Sequence, residues 1–159
     1  MRLLALDQAS KTTGFSIWND EEGLIEYGSV FISHQDVIKR FYEMKKRIEE
    51  LIKEYKIDCA VLENVQRQQN VQTLIMLARL LGILELTLYE HNIDFSVVNA
   101  TTWKSKVGIK GRNRNEQKRN AINHVKEKYE IDVNEDVAEA ICIGEYQFKQ
   151  IKTQLHSFE

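Results

Sequence analysis

The chain has 159 residues, 43% of them hydrophobic and 29% charged, with a net charge of −2 and a pI near 6.1. That is the composition of one globular domain, 1–159 with a loose tail expected at its last few residues, large enough to bury roughly two thirds of its unfolded surface. It excludes a disordered or membrane-embedded class. Asp7 breaks the short apolar run of "MRLLALDQAS" before a signal segment forms, and Cys59 and Cys142 lie in apolar contexts without metal-ligand spacing. A cytoplasmic protein with reduced core thiols is the expectation.

Residues 2–8, 13–18 and 24–32 read as three strands separated by "ASKTT" and "NDEEG", an antiparallel meander. Residues 36–55 carry Val37, Ile38, Phe41, Met44, Ile48, Leu51 and Ile52 at helical spacing. The β-branched run 57–63, "IDCAVLE", follows that helix and is expected to run parallel within the sheet. Residues 70–90 form a helix apolar on nearly all sides, interrupted by Arg79 and Glu85, so a core helix with a homodimer face is expected rather than a membrane span. A strand at 94–98, a helical segment near 100–107, a basic loop, and helices near 115–129 and 135–149 complete the order. Three strands followed by alternating helix and strand predict a mixed α/β sheet with helices on both faces.

The net charge argues weakly against nucleic acid, but its distribution does not. From Lys104 to Arg119 there are seven cations (Lys104, Lys106, Lys110, Arg112, Arg114, Lys118, Arg119) against Glu116 alone, a net +6 that leaves −8 for the rest of the chain. Such a segment is either a solvated helix face or a phosphate-binding surface.

Four acids stand out. Alternation puts Leu3, Ala5 and Asp7 on one strand face, and Ile57, Cys59, Val61 and Glu63 repeat the arrangement. If those strands are adjacent and parallel, both carboxylates meet at the carboxyl edge of the sheet, where α/β folds bind ligands. Like charges that close repel unless a divalent cation coordinates both, and oxygen ligands select hard ions. In "EDVAEAICIG", Asp136 and Glu139 border the helix face of Val137, Ala140, Ile141, Gly144 and Phe148. Their plain reading is helix-start acids favoured by the dipole, with Asp132 or Asn134 as cap. Trp18 and Trp103 read as packing groups, and His34, His91, His124 and His156 form no cluster.

In order along nearly the whole length, the chain resembles the RuvC family of Holliday junction resolvases, of the RNase H-like superfamily. "LALDQASKTTGFSIW" looks like the family's first strand, acid, turn and second strand; "CAVLENV" looks like the strand ending in its glutamate. "LARLLGILELTLYEHNIDFSVVNATTWKSKVG" is similar to the dimer helix and the lysine-containing segment after it, and "DVAEAICIG" to the final D-x-x-D-A. The resemblance implies an RNase H-like mixed five-stranded sheet flanked by helices on both faces, with Asp7, Glu63, Asp136 and Glu139 as catalytic metal ligands. It implies two ions per site, Mg²⁺ or Mn²⁺, and hydrolysis of branched DNA, four-way junctions above all, to 5′-phosphate and 3′-hydroxyl ends by a homodimer.

Three features depart from the family pattern. Glu139 is one methylene longer than the usual aspartate, Gln66 replaces an aromatic three residues after the glutamate, and "GIKGRNRNEQKR" matches the lysine-bearing region loosely. The second points to relaxed sequence preference and a phage-type branch, with the host cytoplasm as its location. DNA contacts are expected from Gln66, Arg67, Lys104, Lys106, Lys110, Arg112, Arg114 and Lys118. The rivals are a ribonuclease H on RNA/DNA hybrids, which must read 2′-hydroxyls, and a branched-DNA-binding subunit without chemistry. An actin-like ATPase would need two such domains.

Overall fold

The computed structural model describes residues 1–157. Its five strands are β1 (Arg2–Asp7), β2 (Thr12–Asn19), β3 (Gly23–Phe31), β4 (Cys59–Glu63) and β5 (Asp94–Val98). Its helices are α1 (Val37–Tyr55), α2 (Val71–Glu90), α3 (Ala100–Val107), α4 (Arg114–Tyr129) and α5 (Glu135–His156). One mixed sheet has the order β3-β2-β1-β4-β5, with β1 antiparallel to β2 and parallel to β4, and β4 parallel to β5. This is the predicted α/β architecture.

Strand alternation divides the core in two. Leu4, Leu6, Ala60 and Leu62 face α1 and α2, while Leu3, Ala5 and Val61 face α3, α4 and α5. Side-chain oxygens of Asp36 and Asn70 cap α1 and α2, accepting from Lys39 N and from Gln72 N and Thr73 N, so both helices start one residue later than the hydrophobic pattern suggests.

Several expectations change. Ile57 precedes β4 and packs in the α1/α2 core, opposite the face of Cys59 and Val61, so the alternating stripe begins at Cys59. Cys59 itself is only half-buried; Cys142 is buried. Ile38 is exposed, and the buried Arg40 takes a place on the inner side of α1, donating to the carbonyls of His34 and Gln35. α5 extends to His156, well past the expected end at 149. Of the expected tail, residues 158–159 lie outside the described residues.

By length and composition α2 does qualify as a membrane span, with a mean hydropathy of 1.7, so Arg79 and Glu85 are weaker interruptions than the sequence suggested. In the fold, Leu80, Leu84 and Leu88 are fully buried, each contributing about 1.5–3 kcal/mol by transfer from water. The other side of α2 carries Val71, Ile75, Ala78, Gly82, Leu86 and Tyr89, all exposed and spaced three or four apart. They form a continuous apolar stripe along the helix.

Candidate active site

Asp7 ends β1 and Glu63 ends β4. The parallel register pairs Ala5 with Val61 and Leu6 with Leu62, so the next step along each strand sets Asp7 beside Glu63, both on the α5 face. Across the sheet Asp7 pairs with Gly14. A Cβ at Gly14 would lie 2.1 Å from the Asp136 carbonyl oxygen, so only glycine lets the first turn of α5 sit against β2 beside Asp7. A second glycine, Gly144, admits Trp18 two turns further on, where a Cβ would lie 2.1 Å from its indole nitrogen. These contacts fix the direction of α5 across the sheet.

The cap of α5 is Asn134, which accepts from Val137 N at 3.1 Å; Asp132 instead pairs with Lys126. Asp136 thus lies in the first turn, where the helix dipole favours it, and Glu139 one turn later. All four acids line one cleft of about 310 Å³, together with Gln8, Gln66, Arg114 and Lys118.

The electrostatics of the cleft are repulsive. The Asp7 carboxyl is pushed well above the usual range, first by burial, then by the charges of Glu139 and Glu63 and a hydrogen bond with Glu139. Burial also raises Glu63, and the charge of Glu139 adds to it against the lowering effects of Trp103, Gln66 and Lys104. Asp136 is raised by burial and by Glu135, with Lys118 opposing.

Glu63 is held at both carboxylate oxygens. The indole N–H of Trp103 donates to Oε2 at 2.6 Å and the Gln66 amide donates to Oε1 at 3.1 Å. Gln8 clamps the main chain of the same residue, its amide nitrogen donating to Glu63 O at 2.5 Å while its oxygen accepts from Glu63 N at 3.3 Å. α3 is tied to the end of β4 by Asn64, whose N donates to Val98 O at 2.7 Å and whose side chain donates to Asn99 Oδ1 at 3.0 Å. Trp103 is therefore more than a packing group, and Gln66 touches a carboxylate of the site. Gln8, Gly14, Asn64 and Trp103 escaped the sequence reading; the adjacency of Gln8 and Asn64 to the two acids was the signal available for them.

The basic segment divides. Arg114 and Lys118, from the start of α4, line the cleft, with Lys118 paired to Glu135 at 2.9 Å. Lys104 donates to Gln117 at 3.1 Å and lies over the Trp103 ring. Lys106, Lys110, Arg112 and Arg67 are exposed outside the cleft lining. Glu116, the single acid of the run, accepts from Arg112 N and so stiffens the turn before α4.

Among the described residues, no three His, Cys, Asp or Glu side chains are arranged to hold a single ion as they stand. The donor set nevertheless fits divalent cations shared between carboxylates. It is all oxygen, which suits Mg²⁺ or Mn²⁺, and burial together with the charges of Glu139 and Glu63 drives Asp7 toward its protonated form. Asp7 sits between Glu63 and the α5 acids, and all four carboxylates could hold such ions.

Comparison with known proteins agrees with this arrangement. The sequence profile described as "Crossover junction endodeoxyribonuclease RuvC" matches residues 3–144. The RuvC of Dictyoglomus thermophilum is 27% identical over 156 residues, covering 94% of this chain and 98% of that protein. The fold is similar to T. thermophilus RuvC in complex with Holliday junction substrate, with a TM-score of 0.75, 13% identity and 92% coverage of each chain. It is also similar to the Fowlpox virus resolvase bound to Holliday junction DNA, with a TM-score of 0.68, 15% identity, and coverage of 95% of this chain and 99% of that one. With four carboxylates at the carboxyl edge of such a sheet and the profile spanning nearly its whole length, the chain belongs to the RuvC family of crossover junction endodeoxyribonucleases.

Proposed function

We propose that this protein is a structure-selective endonuclease that resolves four-way DNA junctions by metal-dependent phosphodiester hydrolysis, leaving 5′-phosphate and 3′-hydroxyl ends. The observation that carries the reading is the convergence of Asp7, Glu63, Asp136 and Glu139, from two strands and a helix, on one cleft. Two Mg²⁺ or Mn²⁺ ions bound there would supply an activated water and neutralise charge on the leaving 3′ oxygen. Asp7 would hold them from β1, Glu63 from β4, and Asp136 and Glu139 from α5.

The remaining residues bring the phosphate to the carboxylates. Arg114 lines the cleft, has no carboxylate partner among the described residues, and is placed to take a scissile or flanking phosphate. Lys106, Lys110 and Arg112 on α3 and the following loop, and Arg67 beside β4, extend a cationic rim over which duplex arms lie. Such contacts position the backbone without reading bases, which supports recognition by branch geometry rather than by sequence. Gln66 offers the DNA no aromatic face and is engaged by Glu63, in keeping with relaxed sequence preference.

A junction has two-fold symmetry, and the exposed stripe on α2 supports a homodimer with two sites. Gly82, beside which an added Cβ would meet nothing within 4 Å, leaves room for a second helix to approach closely. The test is a labelled synthetic four-way junction with Mg²⁺ or Mn²⁺. Wild type cuts it symmetrically, and Asp7→Asn binds it without cutting; equal cleavage by that variant overturns the metal-site assignment.

A further inference from the structure

We infer that Trp103 is a positioning residue for Glu63, fixing that carboxylate for metal binding through its indole N–H. The inference rests on the metal-site reading above and extends it to a residue that touches neither ion nor DNA.

Trp103 is fully buried, and its ring packs against the α3/α4/α5 core. A buried indole nitrogen is a donor only and must find an acceptor. Here the acceptor is Oε2 of Glu63 at 2.6 Å, the short distance of a charge-assisted bond. Because the ring cannot rotate without opening the core, the direction of that bond is set by packing. Gln66 engages the other oxygen from an exposed loop, so it steadies the carboxylate without locking it.

The placement of α3 makes the contact rigid. Asn64, adjacent to Glu63, holds both the end of β5 and the first residue before α3, so Trp103 and Glu63 share one hydrogen-bonded frame. The cation of Lys104 lies 5.4 Å from the centre of the Trp103 ring and is itself held by Gln117. An outer partner of this kind orients its metal ligand, and its loss typically costs about 10- to 100-fold in metal affinity.

The experiment uses the full-length wild type and Trp103→Phe, which keeps a buried ring and removes the donor. The chain holds two tryptophans, so its ¹H–¹⁵N spectrum has two indole signals, assigned by their loss in the variant. Trp18 donates to Ser16 Oγ at the far end of β2 and serves as an internal control. On titrating metal-depleted wild type with Mg²⁺, the Trp103 signal moves and the Trp18 signal stays. In Trp103→Phe the Mg²⁺ concentration for half-maximal junction cleavage rises about tenfold, while cleavage at saturating Mg²⁺ stays within about twofold.

A Trp103 signal that ignores Mg²⁺ in a wild type that cuts overturns the inference, and so does a folded Trp103→Phe with an unchanged Mg²⁺ requirement. If Trp103→Phe fails to fold, Trp18→Phe assigns the two signals by difference and the wild-type titration still decides. A wild type that neither binds Mg²⁺ nor cuts overturns the metal-site reading itself, and the inference falls with it.

Discussion

Helix α5 carries carboxylates in two opposite environments, half-buried at its start and fully buried at Glu145. At its start, Asp136 and Glu139 share a cleft with Asp7 and Glu63, where burial first and then the neighbouring carboxylates raise the proton affinity of Asp7 and Glu63. Nine residues after Asp136, Glu145 is almost fully buried but receives Lys128, Lys149 at 2.7 Å, His124 at 2.8 Å and the Tyr129 hydroxyl at 3.0 Å. Burial pushes Glu145 up, yet those hydrogen bonds outweigh it and hold the carboxyl at about 2. The protein neutralises Glu145 with its own cations, while Lys104 and Lys118 offset the rise at Glu63 and Asp136 only in part. A group of acids whose nearby cations do not offset their burial is arranged to receive external ones, which is why burial alone would not have separated ligand from scaffold on this helix.

Cleavage breaks or sustains that contrast most sharply. Asp7→Asn is expected to lose about 10³-fold in junction cleavage, some 4 kcal/mol of transition-state stabilisation, while Glu145→Gln at a temperature where it is folded cuts nearly as wild type. Comparable losses in both variants would erase the distinction.

Stability should show the reverse order. Glu145→Gln leaves Lys128 and Lys149 without their carboxylate and should cost about 2 kcal/mol, roughly 4–8 °C in Tm, the exposed ammonium groups recovering part of their hydration. Asp7→Asn, which removes a repelling charge, should instead raise the Tm of the metal-free protein by a few degrees, and thermal melts in chelator measure both.

The two sets also titrate with opposite sign. Asp7, Glu63 and Asp136 have raised pKa values in the fold, so their contribution is complete below their unfolded values of 3.8 to 4.5 and is lost as pH rises through the raised ones. Glu145 and Glu49, the latter held at about 2 by hydrogen bonds from His91 and Lys45, contribute above 4.5 and lose it as pH falls toward 2. Metal-free Tm should therefore fall from pH 5 to pH 8, and excess Mg²⁺ should flatten that fall; at 100 times its Kd the ion adds about 2.7 kcal/mol. A metal-free Tm that climbs over that interval contradicts the site electrostatics.

The smallest effect concerns the cationic rim. Reversing Arg112 and Arg114 to Glu should weaken junction binding and lower the slope of log K against log salt by about 2. Unchanged slope would remove both residues from the DNA surface.

Much of this was legible in the sequence because it is local and periodic. Alternation in "RLLALD" and "CAVLE" put Asp7 and Glu63 at the ends of buried stripes, and the structure meets the condition that their strands be parallel neighbours. Helical spacing found α1, α2 and the buried face of α5. What pattern could not reach was contact at long separation. Ile57 matched the alternation but lies outside the ladder, because period alone does not say where pairing begins. Trp103 looked like packing because its acceptor lies 40 residues away. Gln66 was expected to contact DNA from its polar loop beside Glu63, and its hydrogen bond to the Glu63 carboxylate was not legible there.

Side-chain chemistry and its periodicity thus determined which elements form, which faces they bury and that Asp7 and Glu63 end buried stripes, while Asp136 and Glu139 joined them only through the family resemblance. The tertiary structure alone decided how closely those acids meet. Backbone approach at Gly14 and Gly144, and the packing that aims the Trp103 indole at Glu63, are set by the fit of surfaces distant in the chain. The same fit decided that Glu145 would be surrounded by cations and the other four acids by one another, because charge compensation depends on distance in space, which sequence spacing does not encode.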